Sequence, residues 1–438
     1  MTKIYIRLIG LIICVGVLCS FNIINRESTD KSKEPKDFKK HTISPGLVMA
    51  GYQGWFDAPD DGSGRGWYHY SRNGRFEPGF CTIDVWPEMS EYEKQYKTAF
   101  KFEDGTQATV FSPQDESTVR LHFKWMKDYG IDGVFMQRFV AEIKNESGRN
   151  HFNKVLQSAS KAALDYDRTI AIMYDLSGMR SEDVDVVIAD WKKLKEEYGY
   201  DKRKRYSNYL FDGQRPVVAV WGVGFNDNRR YNLADIEKLI HFLKSDEGGN
   251  CSVLLGVPTY WREQGNDCVK DENLHAVMEM ADIVHPWFVG RFKEEGYEKF
   301  KPLIGKDVAW CKEHSLKYMP VVFPGFSWNN MLAPGRPSST IPRNKGSFFW
   351  RQLAGAAAEG AQMIYVAMFD EIDEGTAIFK IARNVPVGES KFIPLDDGIP
   401  SDHYLWLTGQ AAKMLKNKQS LPLTKPDEII QLNETLMK

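Results

Sequence analysis

The sequence lacks an excess of charge of either sign. Among its 438 residues, 57 Lys and Arg nearly balance 59 Asp and Glu, which leaves a formal net charge of -2. A protein that binds nucleic acid normally presents a basic patch or stripe that releases counterions from the phosphates. The charge balance gives no such signal, and we therefore expect no nucleic-acid partner.

Cysteine is scarce, and the usual metal and dinucleotide motifs are missing. The cysteines beyond the N-terminal segment are Cys81, Cys251, Cys268 and Cys311. Four cysteines in so long a chain do not form a disulfide framework, although Cys251 and Cys268 are the more plausible pair. No CxxC, HxH or HExxH spacing occurs, and the GSGRG run at residues 62–66 has the wrong spacing for a dinucleotide loop. We expect neither a metal nor a cofactor.

The sequence also has no apolar run long enough to span a bilayer comfortably. Its N-terminal run, residues 8–18, follows Lys3 and Arg7 and has the pattern of a secretory signal at residues 1–20. Cys19 is a candidate site for lipid attachment, and residues 21–42 have the composition of a flexible tether. We expect an exported protein, either periplasmic, a cell-surface lipoprotein or secreted, that meets the membrane only through such an N-terminal anchor. An uncleaved membrane anchor is the alternative.

Short apolar runs alternate with amphipathic stretches over residues 43–438. The eight strand candidates begin at Leu47, Ile131, Thr169, Arg215, Cys251, Ala281, Lys317 and Met363. The helix candidates are residues 116–129, 150–165, 181–198, 233–243, 274–280, 297–314, 347–359 and 401–415. Eight nearly continuous apolar strands, each covered by a helix, predict an α/β fold: a single (β/α)8 TIM-barrel domain with long βα loops. A doubly wound open sheet is the alternative, and we expect a monomer.

Polar and aromatic residues gather where the predicted strands end. In a TIM barrel the chemistry lies at the carboxyl ends of the strands. Aromatic faces beside hydrogen-bonding groups are suited to sugar rings, although core or lid packing would also explain such aromatics. The pattern predicts a carbohydrate substrate and these substrate-binding residues: Tyr52, Gln53, Trp55, Gln137, Arg138, Asp175, Trp221, Tyr260, Trp261, His285, Trp287, Trp328, Asn329 and Asp370.

The eighth predicted strand ends in a cluster of acids at residues 370–374. Like charges held close together raise some carboxyl pKa values and leave others ionised. Glycosidases need such a pair, since one carboxyl protonates the departing oxygen while the other acts as nucleophile or base. The pattern therefore predicts Glu371 and Glu374 as the catalytic pair. A solvated acidic loop that caps a helix or holds a cation is the alternative.

Residues 370–376 resemble the N-E-W-x-E-G-T-like segment of glycoside hydrolase family 99 and of the family 71/99-like proteins around it. Both glutamates, their spacing and the following Gly-Thr are kept, whereas Asp370, Ile372 and Asp373 replace the usual Asn, Trp and His. Weaker similarities lie at residues 51–56, 323–326, 343–344 and 349–350. The resemblance implies a retaining reaction through a 1,2-anhydro sugar, with Glu371 as the base, Glu374 as the acid and base, and an α-mannoside as the first substrate to test.

Two other functions remain open at this point. The aromatic rim and the altered neighbours of the two glutamates would also fit a non-catalytic carbohydrate-binding protein on the same barrel. A metal-dependent hydrolase is the third hypothesis, with His285 or the cluster of Asp57, Asp60 and Asp61 as candidate ligands. We favour the glycoside hydrolase because it accounts for the paired glutamates.

Overall fold

A computed structural model describes residues 40–203, 208–332 and 339–427 of the chain. The predicted signal segment, Cys19 and the tether up to residue 39 lie outside this part. Within it, no helix is long and apolar enough to cross a membrane.

The described elements alternate along the chain as the sequence predicts. The strands are β1 (Val48–Tyr52), β2 (Tyr96–Lys101), β3 (Gln107–Val110), β4 (Gly133–Phe139), β5 (Thr169–Asp175), β6 (Phe211–Asp212), β7 (Arg215–Trp221), β8 (Ser252–Val257), β9 (Ile283–Pro286), β10 (Lys317–Tyr318), β11 (Val321–Val322), β12 (Phe326–Ser327), β13 (Thr340–Ile341) and β14 (Ile364–Val366). The helices are α1 (Glu116–Tyr129), α2 (Val140–Ile143), α3 (Glu146–Tyr166), α4 (Val184–Tyr198), α5 (Leu233–Lys244), α6 (Leu274–Glu279), α7 (Tyr297–Phe300), α8 (Pro302–Glu313), α9 (Ser347–Ala358) and α10 (His403–Lys416).

All eight predicted strand segments join one curled sheet. Its order is β10-β9-β8-β7-β5-β4-β1-β14-β11, every neighbouring pair is parallel, and β6 pairs with β7 in the antiparallel sense. The coarser prediction is confirmed: the chain has an α/β fold with a curled half-barrel of nine parallel strands, consistent with a TIM-like barrel.

The sheet is not closed into the predicted barrel by a continuous ladder of hydrogen bonds. The two ends of the sheet, β10 and β11, are neighbours in sequence and are separated only by Met319 and Pro320. At this point the chain changes its partner from β9 to β14. Pro320 has no N–H to donate to a ladder, which accounts for the interruption there.

The strands are apolar along their whole length because both faces are covered. Every residue of β1, β5 and β8 is buried. In a parallel sheet one face packs against helices, and in a curled sheet the other face fills the interior. The helices show the complementary pattern, since Val119, Phe123 and Met126 form a buried stripe on α1. Gly130 then ends α1 in the left-handed conformation, with a φ of 79°.

The long loop after β1 contains an antiparallel hairpin of β2 and β3 that the sequence did not predict. Trp86 packs against Phe76 and Phe100, and Trp67 packs against Phe76. These tryptophans therefore stabilise the loop itself. A second hairpin, β12 with β13, lies in the loop after β11.

The predicted disulfide between Cys251 and Cys268 is wrong, because all four cysteines of the described part are free and buried. Cys251 precedes β8 and Cys268 follows the carboxyl end of the same strand. A six-residue strand spans about 20 Å, whereas a disulfide needs Cα atoms within about 7 Å. The two thiols are thus held near opposite ends of the sheet.

Candidate active site

Asp370 anchors the turn that follows β14. Its Oδ1 accepts a hydrogen bond from the backbone N–H of Gln53 and its Oδ2 accepts one from Gly54, each at 2.8 Å. The side chain is fully buried, and burial raises its pKa to about 7. Asp370 therefore ties the end of β14 to the end of β1, and its oxygens are already engaged by the backbone instead of facing a substrate.

Glu371 lies just inside this turn and is held at both oxygens. The amide of Gln53 donates to Oε1, and the hydroxyl of Thr376 donates to Oε2 at 2.5 Å. Burial raises the pKa of Glu371 well above its usual value, with further increases from the charges of Glu374 and Asp373. The two hydrogen bonds act in the opposite direction because they stabilise the ionised form.

Glu374 occupies a more open position in the same turn. Its backbone carbonyl accepts a hydrogen bond from Ser327 at 2.8 Å, while its side chain is only half-buried. Burial, followed by the charges of Asp373 and Asp175, raises the pKa of Glu374 to about 8. The carboxyl therefore keeps its proton at neutral pH.

Asp373 adds a further carboxyl, one that the sequence showed within the acidic cluster and that could contribute to the difference between the two glutamates. Its side chain is 1% exposed, Oδ2 lies 3.4 Å from Nδ1 of His69, and Oδ1 has no hydrogen-bond partner among the described residues. Burial raises the pKa of Asp373 to about 8 and lowers that of His69 to about 3. His69 stacks on Trp55 with ring centroids 3.9 Å apart. This histidine comes from the long loop after β1, and no local pattern indicated it.

Tyr365 of β14 lies near Glu371 and contacts side chains of neighbouring strands, and it was also missed. Its hydroxyl accepts a hydrogen bond from Gln137 at 3.2 Å, and burial and then the charge of Glu371 raise its pKa. The ring of His285 lies 4.5 Å from the Tyr365 ring. Nδ1 of His285 donates to the carbonyl of Met319 at 2.9 Å, and burial lowers the histidine pKa to about 4. The ring is therefore neutral, and its Nε2 is a bare acceptor.

The predicted aromatic residues are in part turned toward one another. Trp221 and Trp287 meet edge to face with centroids 5.3 Å apart, and the guanidinium of Arg229 lies 5.3 Å from the Trp221 ring. Trp328 packs against Phe326 at 5.2 Å. All three tryptophans are half-buried, so each keeps some surface for a ligand.

Buried polar atoms without a protein partner concentrate at these strand ends. Among the described residues they include Gln53 Oε1, Trp55 Nε1, Gln137 Oε1, Trp221 Nε1, His285 Nε2, Trp328 Nε1 and Asp373 Oδ1. An unsatisfied buried polar group is costly, and a cluster of them is best explained by the hydroxyl groups of a ligand or by water. The residue types and their common edge of the sheet suit a polyhydroxylated ligand.

The region around Glu371 and Glu374 at the carboxyl ends of the strands, here called the recess, also contains Asp175, Asp370 and Asp373. Its carboxyls have few cationic partners. Over the described ranges, Asp175, Asp370, Glu371 and Glu374 form no ion pair with lysine or arginine, and Asp373 meets only His69. Among the other charged groups, Arg229 exerts a long-range attraction on Asp175. The recess is therefore acidic, and it suits a neutral ligand better than an anionic one.

Three predicted binding residues face away from the recess. The hydroxyl of Tyr52 lies 2.8 Å from His122 of α1, and Arg138 donates to Asp190 of α4 at 2.7 Å. Trp261 is fully buried among side chains that cover the barrel. Successive residues of a strand point to opposite faces, so neither adjacent pair, residues 52–53 or residues 137–138, has both side chains directed inward.

Tyr260 and Asn329 lie in loops next to the recess. The backbone of Tyr260 donates to Asp267 at 3.2 Å, and its side chain is half-buried. Asn329 follows Trp328, and its backbone donates to Asp84 at 2.6 Å, while its side-chain oxygen accepts from Thr340 at 3.3 Å. Neither residue contacts the paired glutamates through a hydrogen bond in the described part of the chain.

The acidic cluster proposed as an alternative metal site is occupied by protein groups. Asp57 pairs with Arg65 at 3.2 Å and with His151 at 2.8 Å, while Asp61 accepts hydrogen bonds from its own loop. Across the residues that the structure describes, no three side chains of His, Cys, Asp or Glu are placed to hold a metal ion. The metal-dependent hypothesis thus gains no ligand set there.

The chain is similar to known proteins in one sequence family and in solved structures. A family model described as "Domain of unknown function (DUF5010)" matches residues 165–386, slightly more than half of the chain. No curated protein matches the sequence. The GH99 endo-alpha-mannosidase from Bacteroides thetaiotaomicron is similar in structure, with a TM-score of 0.62 and 15% identity over 86% of this chain and 99% of that one.

A second structure of that enzyme, in complex with bis-tris-propane, gives a TM-score of 0.61 and 15% identity over the same shares of the two chains. At this identity the likeness shows a shared fold and nothing about the reaction. The chain thus has the fold of a glycoside hydrolase, and the chemistry has to be argued from its own residues.

Proposed function

Because the chain belongs to the DUF5010 family, whose description names no activity, we propose from the geometry of the recess that the protein is a glycoside hydrolase. The observation that carries the proposal is the pair of glutamates on one turn after β14, in unlike surroundings. Glu371 is 3% exposed and held by two donors, whereas Glu374 is only half-buried. Unlike surroundings are what separate a base from an acid.

The two glutamates would divide the work by protonation state. Burial raises both pKa values, and the carboxyls titrate together. Burial and the charges of Glu374 and Asp373 oppose ionisation of Glu371, whereas Gln53 and Thr376 donate to its oxygens and favour it. Glu374 keeps its proton up to a pKa of about 8. In the proposed division of work, Glu371, which has two donors on its oxygens, is the base, and Glu374 is the acid.

The proposed reaction uses the sugar's own 2-hydroxyl as the nucleophile. Glu371 removes the proton from this hydroxyl, and O2 forms a bond to C1 while the bond from C1 to the glycosidic oxygen breaks. Glu374 gives its proton to the departing oxygen. Water then attacks C1 of the 1,2-anhydro sugar and gives a proton to Glu374, while O2 recovers its proton from Glu371. The first configuration is restored because C1 is displaced twice.

An α-mannoside is the first substrate to test. Direct displacement at C1 by O2 needs the 2-hydroxyl and the departing oxygen on opposite faces of the ring, and α-mannosides have this arrangement. The site also departs from the family 99 pattern, because Ile372 replaces a tryptophan. The side chain of Ile372 is fully buried. We therefore propose hydrolysis of a neutral glycan as the general activity, and an α-mannoside as the specific substrate to test first.

A non-catalytic sugar-binding protein is the second candidate. The observation in its favour is the near-complete burial of Glu371, which leaves little of the proposed base exposed to a ligand. Such a protein would bind glycans and release them uncleaved.

The test is hydrolysis of a panel of α-linked oligosaccharides, with α-mannosides first. Positioned general acids contribute about 10²- to 10⁴-fold to a rate, so we expect Glu374→Gln to lose at least about 10²-fold in kcat. The matched control is Glu295→Gln, a change at an exposed glutamate outside the recess. Magnetic resonance of the fresh product should show the α anomer. Full turnover in Glu374→Gln would overturn the assignment, and binding by the wild type without cleavage would favour the second candidate.

A further inference from the structure

Arg343 lies directly behind the turn that holds the paired glutamates. It precedes α9, is 7% exposed and forms no ion pair with a carboxylate in the described part of the chain. Its Nη2 donates to the backbone carbonyls of Gly375 at 2.9 Å and of Ala377 at 2.7 Å. The guanidinium also lies 4.5 Å from the ring of Tyr404.

The two carbonyls that Arg343 binds flank Thr376, the residue that donates to Glu371. The Thr376 hydroxyl lies 2.5 Å from Oε2 of Glu371, and the N–H of Ala377 donates to the backbone carbonyl of Glu371 at 2.9 Å. Gly375 bends the chain here with a φ of 63°. The position of the Thr376 hydroxyl therefore depends on two neighbouring carbonyls, and the side chain of Arg343 donates to both of them.

Holding a loop with a buried guanidinium that has no carboxylate partner costs desolvation free energy. Removing a cation from water costs several kcal/mol unless it is paired, and burial indeed lowers the pKa of Arg343. One terminal nitrogen of the guanidinium, Nη2, reaches both carbonyls, while Nη1 has no partner among the described residues. The approach also requires Gly325, since a Cβ at that position would lie 2.6 Å from Cγ of Arg343. Two sequence segments, residues 323–326 and 343–344, thus meet at this contact.

We propose that Arg343 is a positioning residue for the active site: by holding the carbonyls on both sides of Thr376, it keeps the threonine hydroxyl on Glu371. This proposal rests on the proposed function, because Glu371 has to be an ionised base. Loss of the arginine lets the turn relax, weakens the hydrogen bond to the ionised carboxylate and leaves substrate contacts on other strands in place.

The experiment compares Arg343→Met and Arg343→Lys with the wild type. We expect kcat to fall at least tenfold in Arg343→Met with KM within about threefold, because the base is affected more than ground-state binding. The limb of the pH profile that reports ionisation of Glu371 should move to higher pH, since losing a donor raises a carboxyl pKa. The kcat of Arg343→Lys should lie between that of the wild type and that of Arg343→Met. In a Thr376→Val background, Arg343→Met should change kcat little further.

The matched control is Arg168→Met at the opposite end of the sheet, where the guanidinium donates to the backbone carbonyl of Ile131 at 2.8 Å. It should lower the unfolding temperature but leave kcat and the pH profile unchanged. Equal stability losses in Arg343→Met and Arg168→Met, with wild-type kcat and pH profile in both, would overturn the proposal. If Arg343→Met does not fold, Arg343→Lys carries the same test.

A readout that needs no substrate separates this proposal from the proposed function. The carboxyl carbon of Glu371 can be titrated by magnetic resonance after labelling the glutamates, with Glu371→Gln to identify the signal. We expect the Glu371 titration to move to higher pH in Arg343→Lys and Arg343→Met. An unmoved titration would refute the role of Arg343 even if the enzyme is active. A moved titration in a protein that cleaves no glycan would refute the hydrolase alone.

Discussion

Asp373 should set the pH range in which the proposed enzyme works. It contacts His69, which is neutral because burial lowers the histidine pKa to about 3, and its charge raises the pKa of both Glu371 and Glu374. The change Asp373→Asn keeps the shape of the side chain and removes this charge. Each glutamate then loses its proton at lower pH, so both limbs of the pH profile should move to lower pH.

The size of the shift follows from the repulsion between neighbouring carboxylates. Two like charges about 4 to 6 Å apart repel by about 3 to 4 kcal/mol at an effective dielectric constant of about 20, and about 1.4 kcal/mol corresponds to one pKa unit. Asp373 has a pKa of about 8 and is itself protonated for much of this range. We therefore expect only part of that repulsion to be felt, which gives a shift of about one pH unit.

The assay is kcat/KM against pH for wild type and Asp373→Asn, with the exposed Asp397→Asn as the control. The pH dependence of stability gives a second readout that needs no substrate. Carboxyls whose pKa is raised in the folded state stabilise it below about pH 4, and this stability is lost as the pH rises through about 8. The free energy of unfolding should thus decline less steeply in Asp373→Asn. An unchanged pH profile, or one that moves to higher pH, would refute the reasoning.

Other consequences of the structure can be tested separately. Arg138→Met leaves the buried Asp190 unpaired and should cost about 3 to 5 kcal/mol in urea unfolding, while the kcat of the folded enzyme is kept; a loss of kcat at full stability would contradict the outward orientation of Arg138. Reduction should leave the free energy of unfolding unchanged because Cys251 and Cys268 are free. A fall of about 2 to 4 kcal/mol, the size that a lost disulfide causes, would contradict this. Oligosaccharides of uronic acids or sulfated sugars should bind more weakly than neutral ones in calorimetry, and equal affinities would argue against an acidic recess.

The elements of the barrel could be predicted because their signals are local. The eight apolar runs are strands since a curled parallel sheet is covered on both faces, and the stripe of Val119, Phe123 and Met126 marks α1 within its own sequence. The hairpin of β2 and β3 was not predicted, although burial alternates along β2, with Thr98 and Phe100 buried between exposed neighbours. The sequence shows no clear alternation there, because the buried Thr98 is polar and the exposed Ala99 is apolar.

The candidate site divides in the same way between local and distant information. The acids of residues 370–374 stand together in sequence, so their clustering at a strand end was predictable. The partners of Glu371 and Asp373 come from elsewhere: Gln53 from the end of β1 and His69 from the loop that follows it. Arg343 reaches the same turn from the segment before α9. No spacing in the sequence indicates contacts between residues so far apart.

What the sequence alone determined is the order of strands and helices and the place of an acidic turn at the end of the last strand, because apolar period and local charge are properties of neighbouring residues. What only the tertiary structure decided is which side chains enter the recess. Gln53 and Gln137 turn inward while Tyr52 and Arg138 turn toward the helices, since a strand alternates its faces and the curvature of the whole sheet determines which face is inside.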